Sequence, residues 1–137
     1  MPFKKFNVLV IGYGSIGRRH VEILNRMEGV QRIELVTKQD INEYKIYKTL
    51  EQVPNLQDFD YFVVASETHK HFDQLVQLDK ALHQKTILVE KPLYHCFYPR
   101  KDISNKVFVA YNLRFHPVLQ ELKRKIVGTK VLSANIM

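Results

Sequence analysis

Cysteine is almost missing from this chain. Cys96 is the single one among 137 residues, so no disulfide can form within the chain. No CxxC pair or Cys/His ladder accompanies it, which fits a reducing compartment and gives no thiolate metal centre. Cys96 is expected to be a small buried hydrophobe before it is a reactive thiol. Long apolar runs are missing too, since nothing approaches the roughly 18 uninterrupted apolar residues of a membrane span. The opening "MPFKKFNVLVIG" has no hydrophobic segment ending at a small-residue cleavage site. A soluble, cytoplasmic protein with no membrane partner is the expectation. Internal repeats and low-complexity tracts are also lacking.

Acidic residues run short in one place only. Residues 1–99 carry 13 Lys/Arg against 12 Asp/Glu, whereas residues 100–137 carry 8 against 2, so nearly all of the formal net charge of +7 lies in the last third. Those cations are not interleaved with aromatics and match no reader motif; electrostatic attraction alone would be nonspecific and salt-sensitive. No specific nucleic-acid partner is expected.

What is present suffices for a packed core: 45% of residues are hydrophobic and 11% aromatic. At this length the chain makes one domain, or one domain plus a fragment of another. Five short apolar runs with polar or glycine punctuation read as buried strands: "NVLVI", "IELVT", "YFVVAS", "TILVE" and "VFVAYN". Their near-continuous apolarity, without strict alternation, points to a sheet covered on both faces. Between the first two, Ile16, His20, Ile23, Leu24 and Met27 recur at helical spacing within Ser15 to Met27; between the third and fourth, Phe72, Leu75, Val76, Leu78 and Leu82 do the same. Strand, helix, strand, repeated, predicts right-handed crossovers and a mostly parallel, doubly wound α/β sheet with helices on both faces. In the less regular stretch from Lys38 to Asp60, "KIY" is a candidate edge strand and "TLEQV" a single helical turn. Near the end, "HPVLQELKRKIVGTK" predicts an amphipathic helix with Pro117 in its first turn, Val118, Leu119, Leu122 and Ile126 on one face, Lys123, Arg124 and Lys125 solvated, and Gly128 as its stop. "KVLSANIM" then begins another strand.

Three of the five glycines fall in the turn Gly12-Tyr13-Gly14-Ser15-Ile16-Gly17. This GxGxxG follows a strand and opens a helix, and the next strand ends near Thr37, about 20 residues on, as a dinucleotide site requires. Gly12 permits the tight turn, Gly14 leaves room for a pyrophosphate, Gly17 lets the helix approach the strand, and the amides around Ser15 and Ile16 point at phosphate. A nicotinamide dinucleotide is thus the expected cofactor, with Tyr13 in the same turn. Arg18 and Arg19 sit in the first helical turn, against the macrodipole; a bound anion would reverse the sign for at least one of them, and solvent would otherwise take both.

At the end of the second strand stand Thr37 and Lys38, where an NAD site would place Asp or Glu for the ribose hydroxyls. A hydroxyl and a cation suit a 2′-phosphate better, which favours NADP over NAD. The alternative leaves Lys38 in solvent and gives the ribose to Asp40 or to main chain. "ASETHKH" and "VEKP" follow the third and fourth strong strands, at the carboxyl ends where open α/β sheets bind ligands. Lys91 could offer its ammonium to a substrate oxygen, or form an ordinary surface pair with Glu90. His69 and His71, two apart at a helix start, face different directions, and with His95 and Cys96 they still lack a fourth ligand at a recognised spacing; no metal is expected.

Taken together, "GYGSIGRRH", "ASETHKH", "VEKPL" and "VAYNLRFHP" resemble, in order, the N-terminal half of the Gfo/Idh/MocA family, named for glucose-fructose oxidoreductase and inositol dehydrogenase. The resemblance implies an NAD(P)-dependent oxidoreductase of sugars, cyclitols or nucleotide-linked sugars: a Rossmann domain, then an α/β domain whose open sheet supplies most of the substrate pocket and often an oligomer interface. By motif, Lys91 is similar to the family lysine that assists proton transfer near the nicotinamide, and Glu90 to the cofactor-side glutamate. The Lys91-Pro92 bond is a candidate for the cis form. His71 matches the histidine of the TPNxxH loop, in which Ser66, Glu67 and Thr68 replace Thr-Pro-Asn; a Thr68 or Ser66 hydroxyl would then contact the cofactor. Asn112 and Arg114 match the polar positions of NxRxxP, for substrate binding or as a brace at the domain junction.

The resemblance further implies residues 1–116 as the dinucleotide-binding domain and 117–137 as the linking helix and first strand of a substrate domain. The family's DxxxH residues would lie beyond Met137, so the chain alone is expected to bind cofactor with little turnover. The short segment "LYHCFYPRKDISNK" abbreviates one crossover and should leave that side of the sheet thinly covered. A non-catalytic nucleotide-binding or interaction module that associates with another chain through "KVLSANIM" is the alternative.

Overall fold

The computed structural model describes residues 5–98 and 102–130. Six strands, β1 (Phe6–Ile11), β2 (Val30–Val36), β3 (Lys45–Tyr47), β4 (Tyr61–Val64), β5 (Thr86–Val89) and β6 (Lys106–Val109), form one all-parallel sheet in the order β3-β2-β1-β4-β5-β6. Helices α1 (Ser15–Leu24) and α2 (His71–Ala81) make the two crossovers, and α3 (Pro117–Ile126) follows β6. This is the Rossmann-type doubly wound sheet that the apolar runs predict, with "KIY" as its edge strand and a single 3₁₀ turn at Leu50–Gln52.

The pleat explains why the strands read as unbroken apolar runs. Leu9 and Ile11 of β1 join Phe62, Val64, Ile87 and Val89 in a core layer against Leu75 and Leu78 of α2 and the following Leu82. Val8 and Val10 point the other way and join Leu35, Val63 and, from α1, Val21 and Leu24. Both faces of β1 are therefore dry, and alternation has no polar partner to reveal it.

Helix α1 departs from the stripe read in the sequence. It stops at Leu24 and buries Gly17, Val21 and Leu24, leaving Ile16, Ile23 and Met27 exposed. The rotation comes from Gly17, which must face the turn at Gly12 and so sets the buried line at Gly17, Val21 and Leu24. Ile23 and Met27 instead line an apolar groove of about 500 Å³ with Phe6, Tyr61 and Leu88.

Between β5 and β6 no helix forms among the described residues. Leu93, Tyr94 and Ile103 pack on the α2 layer. The rings of Phe72 and Tyr98 stack at 3.9 Å, with Tyr94 edge-on to both at 5.3 Å. Aromatics thus cover what the abbreviated crossover leaves, so the thin coverage expected on that side is not found; Phe108 of β6, on the opposite face, is 55% exposed. Cys96, expected in the core, is exposed in this segment, because Leu93, Tyr94 and Tyr98 take its inward positions; its Sγ lies 3.5 Å from His95 Nε2.

Helix α3 forms with Pro117 in its first turn, and Gly128 follows at φ +79. Its apolar positions Val118, Leu119, Leu122 and Ile126 are exposed along with its lysines, so the amphipathic face meets no partner among the described residues. The strand expected in "KVLSANIM" lies, beyond Lys130, outside the described residues.

One carboxylate ties β6 to the rest. Asp79 Oδ1 accepts from the amides of Ser104 (3.0 Å) and Asn105 (3.0 Å), from the Ser104 hydroxyl (3.1 Å) and from Asn105 Nδ2 (2.7 Å). Asn105 also donates to Leu82 O and accepts from the amide of Lys85, joining the end of α2 to the start of β5. Burial pushes the Asp79 carboxyl up, but the hydrogen bonds from Asn105 and Ser104 outweigh it and hold it below the usual carboxylate range. Asp79→Ala should therefore lower stability at pH 7 by about 2 kcal/mol. Because the folded-state value is depressed, this contribution is complete above about pH 4 and is lost as pH falls through the lower folded value. Urea unfolding of both proteins from pH 7 to pH 3 should show the gap closing at the acidic end.

Candidate functional site

The order β2-β1-β4 places a topological switch at β1, where consecutive connections leave in opposite directions and a crevice opens at the carboxyl ends. A cleft of about 430 Å³ lies there. Its floor is the turn Gly12–Ile16, one wall is Thr37, Lys38, Gln39 and Lys48, and the other is Ser66, Glu67, Lys70 and Gln74.

The three glycines meet three different demands. Gly12 has φ +92, and a Cβ there would lie 2.5 Å from the Ser66 amide nitrogen and 2.6 Å from the Ala65 carbonyl. A Cβ at Gly17 would lie 2.1 Å from the Gly12 carbonyl oxygen. Gly14 has no atom within 4 Å of its missing Cβ, so a side chain there would occupy open space at the start of α1. The first intrahelical bond runs from the Arg18 amide to Gly14 O, which leaves the amides of Ser15, Ile16 and Gly17 without partners along the helix. No acidic side chain stands in this first turn and none caps it. Unpaired amides, a helix N-terminus and an empty position beside them fit the pyrophosphate of a dinucleotide.

Arg18 leaves the helix sideways. Its Nη2 donates to Gln39 Oε1 (2.9 Å), Gln39 Nε2 donates to Tyr13 O (3.0 Å), and the guanidinium lies 5.3 Å from the centre of the Tyr13 ring. This lattice binds the glycine turn to the loop after β2. Arg19 faces away and pairs with Glu22 at 3.1 Å. Thr37 is buried, its hydroxyl accepting from the Gln39 amide at 3.2 Å, while Lys38 is exposed.

On the far wall the Ser66 hydroxyl bonds Gln74, and Lys70 Nζ donates to Glu67 at 2.8 Å. That hydrogen bond holds the Glu67 carboxyl below its ordinary range. Thr68 begins a 3₁₀ turn, Thr68–Lys70. His71 lies inside the protein, 1% exposed, and does not line the cleft. Its Nδ1 is 3.1 Å from Pro92 O and its Nε2 3.0 Å from Ser66 O. A neutral ring donates to one of these oxygens and an imidazolium to both. Either way His71 is a strut between the loops after β4 and β5, set back from the cleft at which the motif's cofactor contact is expected.

Glu90 is also an internal fixture. Its Oε1 lies 2.7 Å from His20 Nε2, and its Oε2 accepts from the Lys91 amide at 3.2 Å. The Lys91-Pro92 bond is cis and Lys91 is exposed beyond it. Asn112 and Arg114 sit in a 3₁₀ turn after β6, where Arg114 lines a separate groove with Tyr111, Phe115 and Leu119. The structure thus gathers Gly12 to Ile16, Thr37, Lys38 and Ser66 around one cleft, hangs Glu90 and Lys91 at the next strand end, and keeps Asn112 and Arg114 apart. Among the described residues no group of three or more His, Cys, Asp or Glu side chains comes together as a metal site.

Gln39, Lys48, Lys70 and Gln74 also line the cleft and His20 holds Glu90, and none of these placements is expected from the sequence. For Lys48 a signal existed: it follows "KIY" as Lys38 follows "IELVT", so both belong to the same carboxyl edge. The spacing of His20 places it in an apolar stripe instead.

The sequence model of the oxidoreductase family with an NAD-binding Rossmann fold, GFO_IDH_MocA, matches residues 6–98. The chain belongs to that family. Its fold is shared with myo-inositol 2-dehydrogenase from Lactobacillus plantarum (19% identity, TM-score 0.71, 90% of this chain and 41% of that one). It is also shared with the WlbA dehydrogenase of Chromobacterium violaceum, solved with NADH and UDP-GlcNAcA (19%, 0.69, 93% and 41%), and with scyllo-inositol dehydrogenase from Lactobacillus casei (16%, 0.71, 93% and 42%). The chain spans about two fifths of the length of these proteins. No curated protein matches it.

The glycine contacts separate folding from binding. Gly17→Ala drives a methyl into a backbone carbonyl that cannot move aside, and should cost at least about 3 kcal/mol. Gly14→Ala should change stability by no more than about 0.5 kcal/mol. Denaturant midpoints of the two variants against the parent check both.

Proposed function

We propose that this chain is the cofactor-binding portion of an oxidoreductase that prefers NADP to NAD and acts, in its complete form, on a hydroxyl or carbonyl of a sugar, cyclitol or nucleotide sugar. The observation that carries the cofactor half is the open position at Gly14 beside three unpaired amides. Family membership supports a nicotinamide dinucleotide, and the preference for a 2′-phosphate rests on Thr37 and Lys38 at the end of β2, where no carboxylate follows the strand directly. A bound nicotinamide supplies hydride transfer to or from the substrate carbon.

This chain's own residues orient and hold protons. Ser15 and Ile16 amides bind the pyrophosphate; Tyr13, Arg18 and Thr37 frame the adenosine end; Ser66 and Thr68 border the passage towards nicotinamide. Lys91 offers Nζ to the substrate oxygen, and Glu90, fixed by His20, and His71, at the carbonyl of Pro92, hold the backbone on either side of it. Asn112 and Arg114 lie on the substrate side, and residues 117–137 lead from the dinucleotide domain, 1–116, into a substrate domain. By itself the chain binds cofactor with little turnover. The substrate class follows from the family and from the cyclitol and UDP-sugar dehydrogenases that share the fold.

Calorimetric titration with NADPH and NADH tests this. The parent should bind NADPH more tightly than NADH, and Gly14→Val should keep its fold by circular dichroism while losing both by at least about 100-fold, because the side chain fills the pyrophosphate position. Binding of neither cofactor by the parent would sink the proposal.

A further inference from the structure

Building on that dinucleotide reading, we propose that Lys48 is a specificity residue for the cofactor's 2′-phosphate, delivered from β3 to meet Lys38 from β2. Lys48 follows β3, whose Tyr47 pairs in register with Val36 at the end of β2, so both strand ends open on the same wall of the cleft. Its ammonium lies 3.1 Å from Lys38 O, 3.3 Å from Gln39 O and 2.6 Å from Asp40 Oδ1. It therefore stands over the backbone that an NAD site uses to present a carboxylate to the ribose.

Two acids near that place are engaged. Glu34 is buried and accepts from the Tyr47 hydroxyl at 2.8 Å, with Arg32 3.5 Å away. Asp40, the alternative ribose ligand, is held by Lys48, whose hydrogen bond and charge lower its pKa. With that carboxylate neutralised, Lys38 remains as net positive charge where the 2′ substituent arrives.

A role as a mere loop clasp is the bland alternative. The loop already has other fastenings: Thr37 Oγ1 accepts from the Gln39 amide, and the Gln39 side chain spans Tyr13 O and Arg18. The Asp40 side chain is 93% exposed, so its hold on Lys48 is screened and easily exchanged. A 2′-phosphate brings nearly two negative charges against the single charge of Asp40, and a flexible four-carbon stem can re-aim its ammonium. The uncharged 2′-hydroxyl of NAD offers no such competitor.

The test is titration of the parent, Lys48→Met, Lys48→Arg and Lys48→Met/Asp40→Asn with NADPH and NADH, with thermal unfolding as the fold control. Lys48→Met should weaken NADPH about tenfold and leave NADH within about twofold, while Lys48→Arg should keep most of the preference. The double variant should stay weak for NADPH. Equal losses for both cofactors, or recovery of NADPH binding in the double variant, would overturn the assignment of Lys48 and leave the dinucleotide site standing. A parent that binds neither cofactor would take down both. Should Lys48→Met fail to fold, the same comparison made with Lys48→Gln decides it.

Discussion

Everything in this domain hangs on the approach of one helix to one turn. Gly17 of α1 sits over the carbonyl of Gly12 so closely that a Cβ would be 2.1 Å from the oxygen, and Gly12 in turn presses on the backbone at Ala65 and Ser66. That stack of three backbone segments fixes the ends of β1 and β4 and the start of α1 against one another. It sets which face of α1 is buried, aims the free amides of the first turn, and opens the cleft at Gly14. Fold and cleft share this contact, so the helix cannot shift without also reshaping the cleft and re-aiming the amides.

The side chains around the cleft extend the same logic from backbone to loop. Arg18, in an awkward place for a cation at a helix N-terminus, is drawn off sideways to Gln39 and the Tyr13 ring. It ties the loop after β2 to the glycine turn without crowding the amides. Opposite, His71 and Glu90 work from inside: one bridges the loops after β4 and β5, the other anchors the residue before Lys91 to α1 through His20. The backbone on either side of the exposed Lys91 is therefore held by polar contacts of the buried His71 and the half-buried Glu90. No buried side-chain nitrogen or oxygen among the described residues lacks a partner.

The far edge is built differently. Where a crossover helix would cover β5 and β6, aromatic stacking and the Asp79–Asn105 network substitute for it. Apolar surface remains at Phe108, at the groove beside Ile23 and Met27, and along α3.

The amino-acid sequence by itself determined the strands, the parallel winding, the glycine turn and the helix after Pro117, because each depends on local signals: apolar runs, loop punctuation and spacing. It also placed Thr37, Lys38 and Ser66 at strand ends, from which their position in the cleft follows. Only the tertiary structure decided which face of α1 is buried, since the larger side chains Ile16, Ile23 and Met27 recur at helical spacing just as Gly17, Val21 and Leu24 do, and the choice turns on a contact with Gly12. It also decided that His71 braces rather than borders the cleft, that Cys96 is outside, and that Lys48 joins Lys38. Those outcomes depend on residues many positions apart, such as Lys48 against Lys38, His20 against Glu90 and Asp79 against Asn105, and no local pattern of charge or hydropathy encodes such a meeting.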